Sequence, residues 1–130
     1  MPDPSEPSGT LLLILVPMLV VGIGQRLYLH LVNPNADVFV AGYNVHHLFT
    51  GALIAIPAAF VLAFATSWPV LRAAALLALG AGSAMVLDQV IYLITTDGSN
   101  QAYLRPISLW GAVVLQGLAV ALLLILFALA

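Results

Sequence analysis

Residues 70–95 read VLRAAALLALGAGSAMVLDQVIYLIT. Only Arg72, near the start, and Asp88, near the end, carry charge. A helix rises 1.5 Å per residue, so about 20 apolar residues cross roughly 30 Å of hydrocarbon. The stretch reads as a membrane span. It is rich in small residues, Ala73, Ala74, Ala75, Gly80, Gly82 and Ala84. Small residues let helix backbones approach closely in lipid, so this span is expected to be the central, most tightly packed helix.

Working outward, three further apolar runs cover about residues 10–32, 41–66 and 106–130. Pro17 and Pro57 are expected kink sites within the first two. Asn33–Asp37 (NPNAD), Ser67-Trp68-Pro69 and Asp97–Asn100 have turn compositions. Loops this short force neighbouring spans antiparallel. The expected fold is all-α: an integral membrane, up-and-down four-helix bundle forming a single domain over residues 10–130. Residues 1–9, MPDPSEPSG, are acidic and Pro-rich, and are expected to be a disordered tail. Both termini and the 67–69 turn then share one membrane face; the loops at 33–40 and 96–105 share the other. Trp68, Trp110 and Tyr103 suit interfacial anchoring, and Arg72 is expected to snorkel to headgroups.

Composition agrees. Of 130 residues, 63% are hydrophobic and 6% charged, against about a quarter charged in soluble domains. The lipid bilayer is the expected partner. Cysteine is absent, which excludes disulfides and thiolate chemistry. All three basic residues are arginines, Arg26, Arg72 and Arg105, so no cofactor can be held on a lysine. A net charge of -2 gives nucleic-acid binding no electrostatic support.

The scarce polar groups gather towards one end. Gln25, Arg26 and His30 close the first run; Tyr43, Asn44, His46 and His47 open the second. Asp88, Gln89 and Tyr92 close the third, and Arg105 stands before the fourth. From the run ends, Asp88 lies roughly 10 Å deep, Arg26 roughly 9 Å, and the two histidines roughly 6–8 Å. A charge at the centre of a span costs about 2.5–3.5 kcal/mol on insertion scales, so these groups are expected to meet in a shared interior pocket. Arg26 with His30 and Asp88 with Tyr92 are i,i+4 pairs on single helix faces. Asn44 with His47 is i,i+3, and Gly51 follows His47 at i+4.

The stretch Asn44-Val45-His46-His47, with Gly51 and Leu87-Asp88-Gln89, resembles a functionally uncharacterised family of small prokaryotic four-span membrane proteins. That family carries a His-x-His-His motif in its second helix and a Leu-Asp-Glu motif in its third. The resemblance implies a prokaryotic cell-membrane location. Asn44 stands where the family has its first histidine, and Gln89 where it has glutamate. If the family site binds a metal, this chain has lost one imidazole and one carboxylate.

Three function classes follow. The leading expectation is a metal- or proton-dependent membrane enzyme acting on a lipid or amphiphile. His47 would be its base and Asp88 the orienting group, beside Gln89 and Tyr92; Arg26, Asn44 and Arg105 would hold the ligand. A divalent Zn, Fe or Mn ion would draw on His30, His46, His47 and Asp88; haem between His30 and His46 or His47 is a lesser option. The second class is a small ion, proton or solute transporter or channel subunit, for which a homo-oligomer would be needed, because Gln116 is the only strongly polar side chain further in. The third is an accessory protein whose polar cluster is structural.

Overall fold

A computed structural model describes residues 2–32, 39–41, 43–64 and 67–130. Four long helices dominate: α1 (Pro7–Leu31), α2 (His47–Phe64), α3 (Pro69–Thr95) and α5 (Pro106–Leu129). A two-residue antiparallel ladder, β1 (Phe39–Val40) with β2 (Tyr43–Asn44), precedes α2, and the single-turn α4 (Asn100–Tyr103) precedes α5. All four long helices are long and apolar enough to cross a membrane. The protein is an all-α four-helix membrane bundle.

Proline at the first helical position starts α1, α3 and α5, where its missing N–H costs nothing and its fixed φ is already helical. Helix α1 then runs unbroken through Pro17, and α2 through Pro57.

α3 is the hub, packing against α2, α1 and α5. Glycine makes each contact close. A β-carbon at Gly82 would lie 2.6 Å from the Gly51 carbonyl oxygen on α2, and one at Gly80 would lie 2.2 Å from the Ile14 carbonyl oxygen on α1. On the third side, one at Gly111 of α5 would fall 2.4 Å from Ile91 Cβ. Lipid gives apolar helices no hydrophobic reason to associate, so close van der Waals packing is what holds them. The outward faces are apolar, with Phe64 87% and Val70 84% exposed, as lipid-facing surface should be.

At one end, the Pro4 carbonyl accepts hydrogen bonds from Thr10 Oγ1 (2.9 Å) and Arg72 Nε (2.8 Å). Ala130 lines a cleft with Ser5 and Arg72 there. Arg26, Asp88, Tyr103 and Ser108 meet at the other end, as alternating helix directions require.

Three local readings need revising. α1 begins at Pro7, inside the stretch expected to be disordered, because Asp3 accepts from Ser5 and Pro4 accepts from Thr10 and Arg72. Arg72 is thereby tied to the N-terminal turn. α2 begins at His47, six residues later than expected. The ladder pairs Phe39 with Asn44 and Val40 with Tyr43, and Ala41, at φ 51, follows β1. Asn44 therefore precedes α2 and shares no helical face with His47. The expected Asn33–Asp37 turn, and residues 65 and 66 at the end of the second run, lie outside the described residues.

Candidate functional site

Asp88 and Gln89 are consecutive on α3, so their side chains leave the helix about 100° apart. Both are buried, at 1% and 3% exposure, and each serves a different neighbour.

Asp88 faces α1 and α5. Arg26 Nε donates to its Oδ1 at 2.6 Å. Arg26 Nη2 spans the gap to the Asp88 backbone oxygen (3.3 Å) and to both the carbonyl and Oγ of Ser108 (3.1 Å each). On Oδ2 the donors are the Tyr103 hydroxyl and, at 3.5 Å, Gln25 Nε2. The Tyr103 ring also lies under the guanidinium, 4.4 Å from Cζ to centroid, a cation–π contact. The Arg26–Asp88 pair thus ties α1, α3, α4 and α5 together. Burying two charges is sustainable only with such geometry and such additional hydrogen bonds.

α4 exists to deliver Tyr103. Ser99 caps it by accepting from the Ala102 N–H, and Asp97 holds Ser99 through a 2.8 Å bond to its hydroxyl. This pairing keeps the exposed Asp97 carboxyl below its ordinary range. Burial, and then the neighbouring Asp88 carboxylate, push the Tyr103 phenol well above its ordinary range. Tyr103 therefore remains a protonated donor.

Gln89 faces α2. Its Oε1 accepts from the Leu48 N–H at 2.7 Å, and its Nε2 lies 3.2 Å from His47 Nδ1. A backbone N–H can only donate, which fixes the amide's orientation: Nε2 must point at His47 and donate. His47 Nδ1 is then an acceptor, and the ring proton sits on Nε2. Glutamate at 89 would reverse this polarity, accepting from both groups.

An aromatic chain joins the two halves. His46 packs edge-on to Tyr92, with ring centroids 6.2 Å apart, and Tyr92 packs perpendicular to Tyr103 at 5.3 Å. The Tyr92 hydroxyl donates to the Ser99 carbonyl at 3.2 Å. No buried side-chain nitrogen or oxygen among the described residues lacks a hydrogen bond.

Two clefts open on this layer along the seam between α1 and α5. One, of about 240 Å³, is lined by Gly22, Ile23, Ala112, Val113 and Gln116 as well as Arg26 and Asp88. The other, of about 210 Å³, is lined by His30, Leu31, Tyr103 and Leu104 as well as Arg26. Arg26, Leu27 and Leu109 line both.

Arg26 and Asp88 are thus brought together, and Tyr92 lies beside them. The proposed His47–Asp88 pairing is replaced: Gln89 holds His47, and Arg26, Tyr103 and Gln25 hold Asp88. Among the described residues no three His, Asp or Glu side chains are grouped to hold a metal ion. His30, His46, His47 and Asp88 do not form the expected ligand set, because His46 packs on Tyr92, His47 turns to Gln89, Asp88 turns to α1, and His30 lies on an exposed face. Arg105 stands exposed as the N-cap of α5 and lines neither cleft. Two site residues escaped sequence reasoning. Tyr103 is 5% exposed, a carboxylate donor and not an interfacial anchor. Ser108 is fully buried against Arg26; a serine in the first turn of an otherwise apolar span was the available signal. No family model, curated protein or solved structure matches the chain.

Proposed function

We propose that this membrane protein binds a lipid or amphiphile in the α1–α5 seam, with the Arg26–Asp88 pair as the polar end that receives its head. One observation carries the reading: the pair belongs to the most buried polar cluster, yet two clefts opening between α1 and α5 converge on Arg26. Gly22 and Ala112 keep the seam open, and Ile23, Leu27, Leu109 and Val113 offer it an apolar wall. Asp88 acts here by recognition and positioning. Its oxygens already accept from three side chains, which makes it a poor choice of base.

Native mass spectrometry of protein released from detergent tests this. Val113 lines the seam and is 50% exposed, whereas Val114, 56% exposed, does not line it. Val113→Trp is expected to strip the co-purified lipid adduct while Val114→Trp keeps it. Identical lipid retention in both variants would overturn the reading.

A second reading has its own support. Every buried polar side-chain atom among the described residues is satisfied within the protein, as a purely structural clasp requires. A seam that never retains lipid, together with an Asp88→Asn variant that loses only thermal stability, would favour it.

A further inference from the structure

Gln116 lies 10 residues inside α5, about 15 Å along the helix and so near the bilayer middle. Its amide offers one acceptor and two donor hydrogens. It has no hydrogen-bonding partner among the described residues. Lipid cannot supply one, and an unsatisfied polar group in hydrocarbon costs several kcal/mol. Nor is the amide turned away from the site. It lines the same cleft as Arg26 and Asp88, and its Oε1 lies only 2.3 Å from where a β-carbon on Gly22 would stand. The glycine makes room for this amide beneath the ion pair.

Among the described residues, the charges beside the seam are paired. Arg26 is matched by Asp88, and exposed Arg105 lies within electrostatic reach of Asp97. A charged head entering the seam would bring a charge without a counter-ion into a low-dielectric site. An uncharged head would bring only donors and acceptors.

We infer that the seam selects amphiphiles with an uncharged, hydroxyl- or carbonyl-bearing head, which hydrogen-bonds to Gln116 below and meets the Arg26–Asp88 pair above. The inference rests on the seam being a binding site at all. It names the ligand class for that site.

Photolabelling in phosphatidylcholine nanodiscs tests both levels. The probes are a diazirine monoacylglycerol, which is uncharged, and a diazirine fatty acid presented as its anion. The monoacylglycerol is expected to label peptides carrying Ile23, Leu27 and Val113, and the fatty acid to label them at least threefold less. Gln116→Leu should lower monoacylglycerol labelling about threefold, the scale of one membrane hydrogen bond, without lowering the unfolding midpoint, since it removes no bond within the protein. Equal labelling by the two probes, or labelling unchanged by Gln116→Leu, overturns the inference. So does a Gln116→Leu variant that turns a dimer into a monomer, because the amide's partner would then be a second copy. Val113→Trp separates the levels. If it abolishes labelling and Gln116→Leu does not, the seam stands and the ligand class falls; if neither changes labelling, the seam itself is refuted.

Discussion

The α2–α3 contact and the α1–α5 seam solve the same problem in opposite ways. Where α2 crosses α3, Gly51 and Gly82 bring the two backbones together. Along the seam, the helices stand far enough apart to leave two clefts, and a guanidinium spans the gap to the Ser108 carbonyl and hydroxyl. Close-range packing, with the bonds of Gln89 to Leu48 and His47, holds the first; charge-assisted hydrogen bonds hold the second. At the glycine crossing itself there is no room for a ligand, although a cleft of about 460 Å³ opens beside it, lined by Ala52, Ala55 and Ile56 of α2 and Leu79, Ser83 and Val86 of α3. A polar bridge across a gap leaves a wall, a polar end and an entrance. The difference sets a backbone contact on one side of α3 against a polar bridge on the other.

The strongest test of this contrast is Arg26→Met. It leaves Asp88 buried without its counter-charge, a loss of about 3–5 kcal/mol when one member of a buried pair is removed. Unfolding in mixed micelles should show it, and a loss below about 1 kcal/mol would mean that the pair is not a clasp. Next comes Gly82→Leu. Its side chain meets the Gly51 carbonyl oxygen and the Ala55 nitrogen, both backbone, so α2 must move away. Overpacking of this kind typically costs about 1–3 kcal/mol; lipid retention in the seam should survive it if the two regions are independent. The smallest effects are in pH. A raised folded-state value for Tyr103 means that its contribution is intact below the ordinary phenol range and is lost as pH climbs above it. The stability gap between wild type and Tyr103→Phe should therefore narrow only in strong alkali; a gap that is flat with pH would refute the assignment. Asp97, held low by Ser99, behaves with the opposite sign. Its support for the α4 cap is present above the ordinary carboxylate range and lost as pH falls below it, a dependence that Asp97→Asn should remove.

The bundle was legible because it follows from composition and length: four apolar runs, short loops, and one run of alanines and glycines at the hub. Depth counting also brought Arg26 and Asp88 to one level, because both sit inside long helices that start and stop near their expected ends. It failed for Asn44 and His46, where a two-residue ladder displaced the start of α2; a cross-strand hydrogen-bond choice leaves no periodicity to read. The partner assignments failed for a related reason. Depth places His47 and Asp88 together, but rotation about α3 decides what each one touches, and a 100° step sends Asp88 to α1 and Gln89 to α2. Tyr103 was unreadable as a ligand of Asp88, since a four-residue helix capped by Ser99 is needed to carry it inward.

Arg26 and Asp88 are separated by 62 residues in the chain, and this has a consequence for biogenesis. When the first hairpin enters the bilayer, its cation has no carboxylate partner among the described residues of that hairpin, and Asp88 arrives only when the third span is made. Until then the first helix is most stable sitting high, with its guanidinium in the headgroups. Synthesis of the third helix would draw it down to its final depth, and the serine that completes the bridge arrives last. The pairing predicts that the first span reaches its final depth only after a segment two helices downstream has been translated.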